Sequence, residues 1–270
     1  MTSTAERDEA RYRQRVVRGA TFFTSRQVHD DLTVVLKRFA VRHDPLDTDP
    51  VFVLVHGIGV SSRYFQPLAA ELAQYGDVIL VDLPGFGSAP NPRRPVSIQE
   101  HADVLAGVLE LEGIRDPVLV GHSMGTQVVS RLLADQPALS DRLVLLAPTT
   151  NPAERTLGTQ LRLLLADLPR ESAMANLIVA TDYLFRCGIP YFLSQVPNLL
   201  DDHIEERLPG VRASTLVVRG DRDPIVPRDW ARSVAALIPN ASFLELAGPH
   251  VVMYSNPGDV AVAIVEHAAP

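Results

Sequence analysis

Six short and almost wholly apolar runs, at positions 51–55, 78–81, 118–120, 143–146, 216–218 and 243–246, recur between segments of helical periodicity. A strand with one wet face alternates apolar and polar residues, whereas an unbroken apolar run suits a strand buried on both faces. Strands alternating with helices in this way predict an α/β architecture: a doubly wound, mostly parallel sheet with its site at the strands' C-terminal ends. Ahead of these runs, positions 20–28 and 33–41 are rich in Thr, Val and Phe and flank His29-Asp30-Asp31, which reads as an N-terminal antiparallel hairpin. Ser97 and Glu100 form a capping-box pair before Ile98, Ala102, Leu105 and Leu109 on one helical face, and Asn256-Pro257 marks the start of a last helix.

The alternation breaks between positions 151 and 209. Leu157, Leu161, Leu164, Leu165 and Leu168 follow one helical period, and Met174, Leu177, Ile178, Leu184 and Phe185 follow another, with no convincing strand. Pro152, Pro169, Pro190, Pro197 and Pro209 are expected to separate the segments of this helical insertion. The organisation expected is therefore a polar arm (1–19), an α/β core (20–150 and 210–270) and a helical cap or lid (151–209) inserted after a strand end, its apolar residues divided between a substrate pocket and packing on the core.

Composition excludes several classes. With 270 residues, 46% hydrophobic and 21% charged, the chain is long enough for one large domain with a substantial core. A formal charge of −7 argues against a nucleic-acid partner, which needs clustered positive charge to release counterions. The single cysteine, Cys187, allows neither an internal disulfide nor a Cys-x-x-Cys or zinc-ligand pair; it reads as a small core residue in a protein of the reducing cytoplasm. Positions 1–10 are polar and acidic, unlike a secretory signal, and no apolar run is long enough to span a membrane, so a soluble protein is expected. Arg11, Arg13, Arg15 and Arg18, beside Glu6, Asp8 and Glu9, read as a solvated arm.

Chemistry concentrates at Gly121-His122-Ser123-Met124-Gly125, which lies between an apolar run and a helical segment. A strand that reverses sharply into a helix strains its turn residue and needs small neighbours, leaving the serine hydroxyl presented above the sheet edge. A serine hydroxyl needs a base, and that base needs an orienting group. His250 follows a strand-like run through Ala247-Gly248-Pro249 and is the candidate base; His122 and His56 read as local anchors, and His29, His43, His101, His203 and His267 as surface residues. After the run at 216–218, Gly220-Asp221-Arg222-Asp223-Pro224 offers two acids. Asp223 is the candidate orienting carboxylate, with Asp221 the alternative or a cap of the turn. His56-Gly57-Ile58-Gly59 follows the first buried strand, and the amides of Ile58 and Met124 are the candidate oxyanion donors. This loop carries neither G-x-G-x-x-G nor a glycine-lysine-serine/threonine ending, so no phosphate-bearing cofactor is expected, nor any metal.

From about residue 20 onward, these motifs and Asp82-Leu83-Pro84-Gly85-Phe86-Gly87-Ser88 resemble, in order, those of the serine-nucleophile, esterase- and lipase-like branch of the α/β-hydrolase fold superfamily. The resemblance implies a Ser123–His250–Asp223 triad, a cap domain, a structural role for the Asp82 loop, and a serine hydrolase that needs no cofactor. It implies cleavage of a small carboxylic ester, thioester or lactone with an apolar portion, through an acyl-enzyme intermediate. Cofactor-free haloperoxidase or perhydrolase chemistry, carbon–carbon bond hydrolysis and a low-turnover ligand-binding role on the same fold are the alternatives. Ser123 stands where epoxide hydrolases and haloalkane dehalogenases carry aspartate; His122 replaces the asparagine usual in meta-cleavage carbon–carbon hydrolases, Thr126 replaces a frequent glycine, and the three-glycine loop of one lipase group is absent.

Overall fold

A computed structural model describes residues 13–17, 20–39 and 49–269. Its strands are β1 (Arg13–Val17), β2 (Ala20–His29), β3 (Leu32–Phe39), β4 (Val51–Val55), β5 (Asp77–Asp82), β6 (Val118–His122), β7 (Arg142–Leu146), β8 (Ser214–Gly220) and β9 (Ala241–Leu246). They form one sheet in the order β1-β2-β3-β5-β4-β6-β7-β8-β9. Pairing is antiparallel from β1 through β3 to β5 and parallel from β5 to β9. The six apolar runs all form strands, although β9, at the sheet's edge, is only half-buried and not covered on both faces as expected, and the hairpin is present as β2–β3. Two details differ from expectation. Part of the stretch read as an arm forms the edge strand β1, while Arg11 and Arg18 of its basic cluster lie outside the described residues, as do Ala40 and Val41 at the hairpin's far end.

The helices are α1 (Gln66–Leu72), α2 (Ile98–Leu111), α3 (Met124–Asp135), α4 (Leu157–Asp167), α5 (Ala173–Asp182), α6 (Ile189–Asp201), α7 (Ile204–Arg207), α8 (Arg228–Leu237), α9 (Val252–Ser255) and α10 (Pro257–Ala268), with a π-helical turn at Tyr183–Cys187. Alternate residues of the central strands enter two cores. Val53, Val55, Leu119, Leu143, Leu145 and Val217 pack with α2, α3 and α8. Phe52, Leu54, Val120, Val144, Leu146 and Val218 pack on the other side with α1 and α10. The capping box holds α2 as read: Ser97 N donates to Glu100 Oε2 at 2.9 Å and Glu100 N to Ser97 Oγ at 3.2 Å. Pro197 lies inside α6 rather than at a break. The flanking Val196 and Leu199, both buried, carry the helix across a position whose ring supplies no amide donor.

The chain runs from β4 to β5 on one side and then crosses to β6 on the other. This reversal opens a crevice at the strands' C-terminal ends. Val55 pairs with Gly121 and Gly121 with Leu145, so the segments that follow β4, β6 and β7 leave the sheet at one level. Close approach of α3 to β4 depends on Gly125, where a Cβ would stand 2.2 Å from the Val55 carbonyl oxygen and 2.9 Å from that of His56. Overpacking of this kind costs about 1–3 kcal/mol. Gly125→Ala is expected to lower unfolding stability in urea by about that amount, and an unchanged midpoint would remove this constraint.

Candidate active site

Ser123 joins β6 to α3 with φ 53° and ψ −121°, a conformation rare for a side-chain-bearing residue. Hydrogen bonds hold it there: Ser123 N donates to Leu146 O at 3.0 Å, and Ser123 O accepts from Thr126 N at 2.9 Å and Thr126 Oγ1 at 2.6 Å. Thr126, where a glycine is frequent, therefore adds a side-chain tie to the turn. Glycine is needed at 121 as well, since a Cβ there would lie 2.5 Å from the Gly125 carbonyl oxygen.

Asp223 follows β8 and is 2% exposed. Its Oδ1 accepts from Ile225 N at 2.7 Å and Val226 N at 3.0 Å, leaving Oδ2 for His250 Nδ1 at 2.8 Å. Arg219 braces this loop from behind, donating to Asp223 O at 2.8 Å and Val226 O at 2.6 Å. The competing acid, Asp221, accepts from Gly248 N at 2.8 Å and so fastens the histidine loop, not the ring.

Ser123 and His250 line the same cavity, together with Gly57 and Ile58. Asp223 stands behind the imidazole, and Met124 is buried as the first residue of α3. Five residues read from the sequence thus gather at one strand edge, with a direct hydrogen bond between the carboxylate and the imidazole. The cavity measures about 220 Å³ and is mainly apolar, with Leu161, Leu164, Leu168, Phe192 and Val196 among its lining residues from the insertion.

Two further carboxylates in the cavity wall had no signal in the sequence. From α4 and the turn after it, Asp167 Oδ1 accepts from His250 N at 3.4 Å, and Glu171 Oε1 accepts from Val251 N at 2.7 Å. The insertion thereby grips the backbone of the loop that carries the imidazole. Burial, the largest influence, opposes a charge on His250, but Asp223 with its hydrogen bond, then Asp167 and Glu171, together raise its pKa to about 9. Burial likewise drives the Asp167 carboxyl upward, reinforced by Asp223, and lifts Glu171 to about 7, reinforced by Asp167. Native His250 holds its proton where an unfolded imidazole releases it. That stabilisation is complete below about pH 6.5 and is lost as pH rises through about 9.

His122 is more than a local anchor. Gly57 N donates to the Tyr64 hydroxyl at 2.8 Å, that hydroxyl lies 2.9 Å from His122 Nδ1, and His122 Nε2 lies 3.2 Å from His250 O. Burial and the neighbouring His250 hold the His122 pKa well below its usual value. One proton arrangement satisfies the chain: Tyr64 donates to a neutral Nδ1, and Nε2–H donates to the His250 carbonyl. The bridge ties the loop after β4 to the loop bearing His250. His56 anchors its own loop as expected, accepting from Leu83 N at 3.0 Å through Nε2 and donating to Gly57 O at 2.8 Å through Nδ1.

Asp182, at the end of α5, is fully buried and accepts from Ser61 N and Arg63 Nη1, each at 2.9 Å, so the insertion also holds the segment after the Gly57–Gly59 loop. In the loop read as structural, Asp82 is a hub, accepting from Lys37 at 2.6 Å, Ser62 N at 2.9 Å and Ser88 N at 2.8 Å. His101 corrects the surface reading: it is fully buried beside Phe86, and burial lowers its pKa to about 3. Cys187 is a core residue, as expected, its thiol pushed up to about 12 chiefly by burial. Among the described residues, no three His, Cys, Asp or Glu side chains group as metal ligands.

The model of the alpha/beta hydrolase family matches residues 52–264, and the chain belongs to that family. Proteins of Mycobacterium bovis and Mycobacterium tuberculosis are 36% identical over 98 residues; the match spans 36% of this chain and 29% of their length. A pyrrolizixenacetamide deacetylase of Xenorhabdus hominickii is 29% identical over 231 residues, covering 77% of this chain and 86% of its own. Among solved structures, the enol-lactonase from Burkholderia xenovorans LB400 shares the fold with a TM-score of 0.76 at 18% identity, over 90% of this chain and 99% of its own.

Two measurements check this geometry. In Glu171→Gln, the His250 imidazole is expected to titrate at lower pH than in the wild type by NMR, because a carboxylate facing it is gone; an unmoved midpoint would disprove the coupling. Tyr64→Phe leaves Gly57 N–H and His122 Nδ1 buried without their partner. It should cost about 1–3 kcal/mol in urea unfolding, against almost nothing for the exposed Tyr75→Phe.

Proposed function

We propose that the chain is a serine hydrolase of carboxylic esters, thioesters or lactones with an apolar portion, working through an acyl-enzyme intermediate. The observation that carries the reading is a strained Ser123 sharing a cavity wall with an imidazole that Asp223 orients. Residues 151–209 act as the cap over that cavity, and those of their leucines that line it, Leu157, Leu161, Leu164 and Leu168 among them, receive the apolar portion of the substrate. The deacetylase and the enol-lactonase among the similar proteins act, by their names, on acyl compounds, which supports acyl transfer without choosing the substrate. The single buried thiol accords with a reducing, cytoplasmic setting.

Ser123 Oγ attacks the substrate carbonyl carbon as His250 Nε2 takes its proton; Asp223 holds Nδ1–H and balances the imidazolium. The negative oxygen of the tetrahedral intermediate is met by two amides. Met124 N–H opens α3, where an amide has no acceptor within its own helix and the helix dipole is positive. Gly57 N–H is taken up by Tyr64, so the loop's second donor is Ile58 N–H. Collapse expels the alcohol, thiol or ring oxygen with the proton from His250, and water, deprotonated by the same imidazole, then releases the acid.

A base must be neutral to accept a proton. With His250 raised to about 9, the acid limb of the kcat/KM profile should lie above the ordinary imidazole range. The decisive test is a panel of activated esters and lactones of graded chain length and ring size, assayed with the wild type and Ser123→Ala. Turnover by the wild type, its loss on the order of 10⁴-fold or more in the folded variant, and a fluorophosphonate adduct on Ser123 are expected. Undiminished hydrolysis by Ser123→Ala would overturn the mechanism.

A further inference from the structure

The insertion turns an unusually apolar face to solvent. Of the fourteen large apolar side chains exposed among the described residues, ten lie between Leu157 and Leu193. On α4 and at its C-cap, Leu157, Leu161, Leu165 and Leu168 follow a spacing of i, i+4, i+8 and i+11, which places them in one stripe. Met174 and Leu177 on α5, Leu184 and Phe185 on the π-helical turn, and Ile189 and Leu193 on α6 continue the apolar surface, with Phe185 81% exposed. Leu157, Leu161, Leu168 and Leu193 also line the cavity, so these stripes surround its mouth.

Charge on this face has one sign. The exposed ionic side chains between Leu157 and Leu193 are Arg162, Arg170 and Arg186, the last paired with buried Asp182 at 3.2 Å, whereas Asp167 is buried and the half-buried Glu171 binds the Val251 amide. The chain as a whole is formally −7, but acids beyond roughly 8–10 Å are screened at physiological salt, so Arg162 and Arg170 decide what approaches. An apolar helical surface with cationic residues among its leucines is the pattern of a peripheral lipid-binding face. A symmetric pairing of two copies through this face would instead bring two arginine-bearing surfaces together.

We infer that the outer face of the insertion docks on an anionic lipid surface, with Leu165, Leu177 and Phe185 entering the apolar layer, Arg162 and Arg170 meeting the headgroups, and the cavity mouth held against the layer. Docking of this kind is peripheral, and no helix among the described residues is long and apolar enough to cross a membrane. It is independent of the serine chemistry.

The test is flotation of the full chain with phosphatidylglycerol or phosphatidylcholine vesicles. Binding is expected to phosphatidylglycerol, weaker binding to phosphatidylcholine, and a marked loss of the difference at about 0.5 M salt. The triple variant Leu165→Ser, Leu177→Ser, Phe185→Ser should lose vesicle binding, and Arg162→Gln with Arg170→Gln should weaken the anionic preference by about fivefold per arginine. None of these residues lines the cavity, so hydrolysis of a soluble short-chain ester should persist in both variants and report an intact fold. Failure of the wild type to float with either lipid, or undiminished flotation of the triple serine variant, would overturn the inference. So would a dimer in solution that leaves the wild type unable to float and that the triple variant dissolves. Ser123→Ala should float like the wild type, so a failure of the serine mechanism and a failure of docking are told apart.

Discussion

The structure depends on the tight junction between β6 and α3. Ser123 sits in a backbone conformation that costs on the order of 1–3 kcal/mol, and it persists because three elements secure it. β7 accepts its amide through Leu146, Thr126 holds its carbonyl with both amide and hydroxyl, and the absent side chain of Gly125 lets α3 reach the end of β4. That approach also brings the Gly57 loop against the serine: a Cβ on Gly57 would lie 3.0 Å from Ser123 Cβ. Strain at the turn, the presentation of its hydroxyl and the closeness of the neighbouring loop are thus one packing event.

Around this junction, buried carboxylates hold the loops in place by accepting backbone amides. Asp82 takes Ser62 N and Ser88 N, Asp182 takes Ser61 N, and Asp223 takes Ile225 N and Val226 N. A carboxylate so engaged keeps the partners that make its burial tolerable while fixing two segments at once. Asp167 and Glu171 extend the pattern across the insertion to the backbone of His250 and Val251. They carry a second consequence, because negative groups gathered round one imidazole favour its charged form. The insertion is therefore coupled to the His250 imidazole electrostatically as well as sterically.

Much of this was legible in the sequence. Buried strands announce themselves as apolar runs, and the residues that follow them are the ones a switch-point crevice collects, so Ser123, Asp223, His250, Ile58 and Met124 could be named from position and chemical type. Asp167 and Glu171 could not, since an acid in or beside a leucine-rich helix reads as the wet face of an amphipathic segment. His101 was misread for the same reason: its place on a helix says nothing of Phe86, which covers it from a loop. His122 was understood only in part, because its partners, the Tyr64 hydroxyl and the His250 carbonyl, lie 58 and 128 residues away.

The amino-acid sequence alone determined strands β2 to β9, the place of the helical stretch that interrupts them and the chain order of Ser123, Asp223 and His250. These rest on periodicity, glycine and proline, which act over a few residues. Tertiary structure decided that β4 lies between β5 and β6, that Asp223 and not Asp221 reaches the imidazole, and that Asp167 and Glu171 grip its loop. Those contacts join segments far apart in the chain, and their geometry follows from how whole helices and strands pack, which no local pattern encodes.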